Sequence, residues 1–570
     1  MTPSWWREDA VAWHAHGWSI EIRGDDLAEI RHQGRMLLRA VRPAVRDSGW
    51  MTVPVRVEET LPGGDELTLR LRHDGLGAQI ASTLRVRATA DELVIAWDAV
   101  SDTAFDTNRT GLVVLHPASD AGSPAAIVHP DGTTSQATFP TGISPHQPMM
   151  DIRELRVRDD LAIEFAGDVF EMEDQRNWTD ASFKTYSRPL SLPFPYRLDA
   201  DQEVRQSVTI RVTAASDDAG PAATDPVIDL IEAGVFPAIG MEASTAPDAV
   251  PATEAGSFRI VELDLRTPTW PAALARAAAD GLELDVRIVT DADAEALADA
   301  VRALREHDVL RVTAFDAHDH VSDEMTVAAL RAAMADAGLT VPVLAGSRSH
   351  FTELNREQHR IPRDVDGLVV NTTPMFHSLD TEQLVEAVAM QRLIAAQTVR
   401  LAGDLPVHVG PVSLRPRFND VATVPQTLPT RSDLTAGYGA EFTGAGDDRQ
   451  HSDELAAWVV GSAAALAVPG VASLSFFETW GPRGVIQEGS GATPAAAAVE
   501  ALVPLAGATL LVGDSPDGLL WAIGSRTADG TVVLAANLDR SARRFTVRLP
   551  AGAAETVDLE PGSWTRISSS

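Results

Sequence analysis

The chain contains no cysteine. Disulfides, thiolate nucleophiles and cysteine-ligated zinc are therefore excluded. Basic residues are scarce relative to acidic ones: Lys+Arg 47 against Asp+Glu 81 gives a formal net charge of −34. No long basic run offsets that balance, so neither nucleic acid nor an anionic membrane is expected as a partner. Membrane-spanning runs are lacking too; the Ala-rich stretch Ala456–Ala467 is too short and begins beside charges. The opening residues Met1–Asp9 show no basic stretch leading into an apolar core, so no secretory signal is expected and a soluble, cytoplasmic protein is. There is no Gly-x-Ser-x-Gly elbow to hold a serine nucleophile, and no Gly-x-Gly-x-x-Gly turn to cradle a dinucleotide.

What is present is enough chain for two to four domains at 570 residues, with a hydrophobic fraction of 45%. One run stands out: Phe170–Tyr186 packs acids, amides, bases and large aromatics together. Burying so many polar groups is costly unless each finds a partner. The run therefore reads as a polyol-binding surface or as a clamp between domains, rather than an ordinary polar hairpin.

The first part of the chain reads as antiparallel β. Alternating segments at Trp18–Ile22, Leu67–Leu71, Leu84–Arg87, Leu93–Trp97, Leu112–Leu115, Ile163–Phe165 and Ser207–Val212 are separated by turn signals such as Pro62-Gly63-Gly64. An N-terminal β-sandwich over 1–214 is expected, followed by an Ala-, Asp- and Pro-rich linker at Ala214–Pro226. From there the pattern changes. Continuous apolar runs at Pro237–Glu242, Phe258–Leu265, Leu282–Val289, Val309–Phe315, Val341–Ala345, Val365–Val370, Pro406–Val412 and Val471–Phe477 alternate with helical stretches. Strands buried on both faces read this way, and eight of them over roughly 270 residues predict a (β/α)8 TIM-type barrel at 226–505. A doubly wound open sheet is the other fold considered. The remainder, 506–570, returns to β and predicts a small C-terminal β-sandwich.

Catalytic groups of such a barrel lie at the C-terminal ends of its strands. Those ends present Glu242, Asp264 with Arg266, Asp316 with His318 and His320, Arg348 to Arg356, Asn371 with His377, His408, and Glu478 with Trp480 and Arg483. Two carboxylates are singled out: Glu353, just past the fifth strand, and Glu478, emerging from the strongly apolar eighth. A carboxylate at such a mouth is partly desolvated, which raises its pKa and suits acid–base work. Counting strands places the pair across the central pocket. The alternative for each is a plain ion pair, with Arg356 or Arg483. His318-Asp319-His320 offers two imidazoles but no third ligand, so neither metal nor any other cofactor is expected.

The run Glu171–Tyr186 with Arg188–Tyr196 resembles the D-apionate lactonase family of bacterial sugar catabolism. So do Asn108–Leu112, Val114–Pro117, Phe351–Arg356, Asp448–Gln450 and Phe477–Gly481. The resemblance implies hydrolysis of D-apionolactone to D-apionate, in apiose catabolism. Residue roles come from the strand-end reading. Glu478 is expected as base and Glu353 as acid, with Arg348, Asn355 or Arg483 holding the oxyanion. Asp264, Asp316, Asn371 and His377 are expected to grip hydroxyls, Trp480 to offer an apolar face, and Arg176 and Asn177 to reach in from the first domain. The same residues fit a retaining glycosidase with Glu353 as acid/base and Glu478 as nucleophile. A non-enzymatic sugar-binding protein is the third reading. The expected partner is a small sugar lactone or glycoside; oligomeric state is not legible.

Overall fold

The computed structural model describes residues 10–569 apart from 214–224, 248–254, 420, 422–427, 429, 440–445, 488–490, 529 and 551. The linker expected at Ala214–Pro226 thus lies almost wholly outside the described residues.

Two nine-stranded antiparallel sheets build the first part of the chain. Their strands alternate as half-buried strands must: Glu92–Ser101 and Ala78–Ala88 bury every second side chain. The inward sets meet in one core, where Ile20 and Leu38 from one sheet join Leu69 and Trp97 from the other. All seven segments expected as strands here fall within strands.

Eight parallel strands then close on themselves, the first pairing with both the second and the eighth. They run Ala238–Glu242, Arg259–Asp264, Leu284–Thr290, Val309–Asp316, Val343–Gly346, Leu368–Thr372, Val407–Val412 and Val471–Trp480. Between them lie helices α1 (Trp270–Ala277), α2 (Ala294–Leu304), α3 (Glu324–Ala337), α4 (Phe351–Arg356), α5 (Thr381–Ala402) and α6 (Leu455–Leu466), with α7 (Pro494–Leu502) after the last strand. The barrel is the expected one, and the open-sheet alternative is set aside by its closure. At Gly346 the fifth strand passes so close to the sixth that an added Cβ would lie 2.1 Å from the Val369 carbonyl oxygen, at φ +146°. Only glycine fits there.

The barrel interior is polar below its mouth. Asp285 is fully buried between Arg287 and Arg311, and Arg311 also donates to Ser473 at 3.0 Å. Buried charges of this kind persist only when paired.

The segment expected to begin the barrel first visits the C-terminal sheets. Val227–Asp229 pairs with Arg543–Arg548, and Ile231–Val235 with Thr509–Val512. With Leu520–Thr527, Gly530–Asn537, Ala554–Leu559 and Ser563–Ser569 they form a three-stranded and a five-stranded sheet around Ile228, Leu520, Phe545 and Val547. No helix among the described residues is long and apolar enough to cross a membrane.

Candidate active site

The mouth of the barrel is organised around a carboxylate pair on neighbouring strands. Glu242 ends the first strand, Glu478 lies near the end of the eighth, and the two are direct register partners. Both are 2% exposed. The register slips just before them: Gly240 pairs with Ser475, yet Glu242, two residues on, pairs with Glu478, three residues on. That extra residue is a bulge, and within it Phe477 adopts φ +52°. An aromatic residue in the left-handed region costs on the order of 1–3 kcal/mol. The bulge puts Glu478 opposite Glu242 in the register of the two strands.

Glu478 is held on both oxygens. Thr245 donates its backbone N–H at 3.0 Å and its hydroxyl at 2.9 Å and 3.1 Å, and the Arg483 Nε lies 3.2 Å away. Glu242 is held on one. Arg417 pairs with its Oε1, whereas its buried Oε2 has no hydrogen-bond partner among the described residues. Burial pushes the Glu242 carboxyl up to about 7; Arg417 opposes the shift and the neighbouring Glu478 adds to it. A second carboxylate, Glu262 on the second strand, accepts from Arg348 at 2.6 Å and 3.0 Å and from Arg417 at 3.2 Å. Burial acts to raise Glu262 too, but the two guanidiniums outweigh it and hold it well below the usual carboxylate range. Two glutamates on adjacent strands are thereby driven apart in acidity.

Arg483 is the remaining cation. Its side chain is half-buried, but its three guanidinium nitrogens are buried and none has a hydrogen-bond partner among the described residues. An unsatisfied buried donor is expensive unless a ligand completes it. Tyr438 closes the floor: its N–H donates to the Thr245 carbonyl at 2.8 Å. Burial and then the charge of Glu478 push the Tyr438 phenol well up, so it stays protonated.

Of the residues expected from the sequence, Glu478, Arg483, Arg348 and Asn371 belong to this mouth and the layer beneath it. Asn371 accepts from Arg287 at 3.2 Å and donates to the Arg348 carbonyl at 2.5 Å. The Arg348 guanidinium carbon lies over Phe418, 4.0 Å from the ring centre. Trp480 follows Glu478 by two residues and accepts from the Ser244 hydroxyl through its carbonyl. Asp264 is paired with Arg266 at 2.7 Å, and Asp316 accepts the N–H groups of His318 and Asp319, both at 2.8 Å.

Glu353 sits on α4, half-buried, and accepts from the Ser349 hydroxyl at 2.6 Å. The same helix meets the first domain. Asn355 donates to Asn177 at 2.9 Å and to the Ile143 carbonyl at 3.2 Å, and Thr352 donates to the Asn177 carbonyl at 3.0 Å. Arg176 is committed to Asp174 and to the carbonyls of Pro140, Thr141 and Gly142. Trp178 stacks on Phe376 at 4.5 Å. The Asn177 and Trp178 contacts join the first domain to the barrel, whereas those of Arg176 stay within the first domain. His377 hydrogen-bonds Asp180 across the same seam at 2.9 Å and lines a separate interdomain cavity. No group of three or more His, Asp or Glu placed to hold a metal occurs among the described residues.

Sequence reading passed over Glu242 as a catalytic candidate and missed Glu262 and Arg417. Glu262 carried a signal: it is a charge inside a buried strand, Arg259-Ile260-Val261-Glu262-Leu263-Asp264, on the side that turns inward.

The family model for the N-terminal domain of D-apionate lactonase matches residues 4–215, and that for its TIM barrel domain matches 233–507. A curated D-apionate lactonase of Brucella anthropi is 28% identical over 560 residues, covering 88% of this chain and 89% of the relative. Among solved structures, a beta-arabinopyranosidase aligns over 97% of both chains at 10% identity with a TM-score of 0.31. An endoxylanase of Clostridium papyrosolvens covers 60% of this chain and 99% of its own, at 10% identity and a TM-score of 0.37. Scores that low carry no functional argument. The paired domain matches, in the same order as the sandwich and the barrel, do: the chain belongs to the D-apionate lactonase family.

Proposed function

We propose that this protein opens a sugar lactone by hydrolysis, converting D-apionolactone to D-apionate, and that Glu242 carries the proton. The observation behind this is the free, buried Oε2 of Glu242, on a carboxyl poised at about 7, beside a Glu478 whose oxygens are already engaged. A general base works best when its pKa lies near the working pH.

In this reading the ionised Glu242 takes a proton from water as the water oxygen bonds to the lactone carbonyl carbon. The carbonyl becomes a tetrahedral oxyanion, held by the Nη N–H groups of Arg483, whose Nε faces Glu478. Collapse re-forms the carbonyl and breaks the bond to the ring oxygen. Glu242 returns its proton to that departing alkoxide, giving a hydroxy acid and leaving Glu242 an ionised carboxylate ready for the next cycle. Glu478, fixed by Thr245, supplies the negative charge that keeps Glu242 basic enough to act. The base role expected of Glu478 thus passes to its partner, and the acid role expected of Glu353 is taken by the same Glu242 in its protonated form. Arg348 and Arg417, locked onto Glu262, set the walls of the site.

The test is proton release at weakly buffered pH from a panel of aldonolactones, D-apionolactone included, set beside aryl furanosides and pyranosides. Acid released from lactones alone supports the reading. Aryl alcohol released from a glycoside, with no lactone opened, overturns it.

A further inference from the structure

Between the first domain and the barrel lies a cavity of about 690 Å³ that the hydrolytic site does not use. That volume is in the range of small-molecule sites. One wall is the strand Arg35–Asp47 with Trp50 beyond it; the other is formed by the loops leaving the sixth and seventh barrel strands, with Phe376, His377, Arg415 and Phe418. Its lining is polarised. At one end Asp25, Asp26 and Asp380 crowd together, and Arg42 pairs with Asp26 at 2.8 Å. Burial raises Asp26 to about 7 against the pull of Arg42, so this end presents carboxyl groups able to donate as well as accept. Arg46 lies on the same strand four residues on, roughly 13 Å along at about 3.3 Å per residue.

Arg46 is the group in need of a partner. It donates to the Trp50 carbonyl at 3.0 Å but has no carboxylate within ion-pair reach among the described residues. Behind it stands Arg109, 5% exposed, its guanidinium 3.6 Å over Tyr186 and 5.3 Å from Trp50, with an Nε that no hydrogen bond satisfies. Burial, then repulsion from Arg109 and Arg42, lowers Arg46 to about 10 against the pull of Glu173 and Asp180. Glu173 and Asp180 act on Arg46 electrostatically but neither pairs with it, so the two neighbouring guanidiniums leave an electrostatic deficit that an anion would relieve. The aromatic faces of Trp50, Phe376 and Phe418 supply the apolar surface on which sugar C–H groups pack.

We propose that this cavity is a second binding site that takes a hydroxylated carboxylate, a sugar acid of the product's chemical class. Its carboxylate meets Arg46 and its hydroxyls reach the Asp25–Asp26 end. The choice of a sugar acid over other anions rests on the lactonase reading; the anion site itself does not. A ligand seated there touches Phe418, whose chain neighbour Arg417 holds Glu242 and Glu262.

The experiment is isothermal titration of the full-length protein with D-gluconate as the sugar-acid probe, D-glucitol as its uncharged counterpart and inorganic phosphate as a bare anion. The expected result is gluconate binding that weakens about tenfold or more in Arg46→Met, consistent with loss of a charge-assisted contact. Glucitol and phosphate bind at least tenfold more weakly, and lactone kcat/KM stays within about twofold of the parent. If Arg46→Met does not melt like the parent, Arg415→Met on the facing wall is read in the same way. Three results overturn the proposal: no gluconate binding to the parent, binding unchanged in the variant, or binding and lactone turnover falling together. Phosphate competing as well as gluconate overturns the sugar-acid class. Failure of lactone turnover in the parent would overturn the hydrolytic reading alone.

Discussion

Glu242 and Glu478 face each other across the seam that closes the barrel, partners in register although 236 positions separate them in the chain. Neither glutamate alone defines the site. Glu478, gripped by Thr245 and Arg483, is the fixed charge; Glu242, held by Arg417 on one oxygen, is the group whose proton is free to move.

Arg417 sets the acidity of Glu242, so its removal has a signed consequence. Burial raises the Glu242 carboxyl, Glu478 and Glu262 add to the rise, and Arg417 and Arg483 oppose it. The base form is the active one, so kcat/KM rises with pH through a limb near 7. In Arg417→Met the largest opposing charge is gone, and the limb moves to higher pH by about one unit or more. A pH–rate profile of kcat/KM in both proteins checks this; a limb that stays in place or moves acid-ward contradicts it.

The clamp between domains should be measurable as stability. Trp178 is 3% exposed and stacks on Phe376, with Asn177 bound to Asn355 beside it. Trp178→Ala removes that contact and leaves a void at the seam, costing about 3–5 kcal/mol. Urea unfolding followed by circular dichroism reads the shift in midpoint. A change below about 0.5 kcal/mol, the range of most surface substitutions, would show that the clamp is incidental.

Acid sensitivity has a definable source in His116. It is fully buried, bonded to the Thr185 hydroxyl at 2.8 Å, and burial lowers its pKa to about 3. The unfolded chain binds a proton near 6.5 and the folded one does not. The stability it contributes is therefore present above 6.5 and lost as pH falls from there toward 3. The stability gap between the parent and His116→Gln should narrow by about 1.4 kcal/mol per pH unit below 6.5. Urea midpoints at pH 7 and pH 5.5 test it; a gap independent of pH refutes it.

The barrel was legible because its strands are buried on both faces and so appear as unbroken apolar runs, the eighth, Val471–Trp480, most clearly. The short α4 was not. Six residues, Phe351–Arg356, give too little periodicity to separate a helix from a strand-end loop. Glu478 announced itself by emerging from aromatic neighbours, whereas Glu242 sits at the end of a five-residue strand with nothing to mark it. Its importance arises only when the first strand docks on the eighth, a long-range event that no local pattern encodes. Arg417 is hidden for a similar reason: it lies in the irregular run Leu414–Asn419, and only closure brings it over two carboxylates. The Phe170–Tyr186 run reads as costly to bury, but whether its polar groups meet a ligand, their own domain or the barrel depends on partners outside the run: Arg176 turns to the Pro140 carbonyl, Asn177 to the Ser144 carbonyl and to Asn355 of the barrel.

The most direct measurement is lactone turnover in Glu242→Gln beside Glu478→Gln. The amide keeps the shape of Glu242 but cannot accept the proton from water, so kcat/KM should fall by about 10²–10⁴ with folding intact. Glu478→Gln should retain more activity, with its pH limb moved acid-ward because one source of the Glu242 shift is gone. Glu242→Gln turning over like the parent, while Glu478→Gln is dead, would contradict the account.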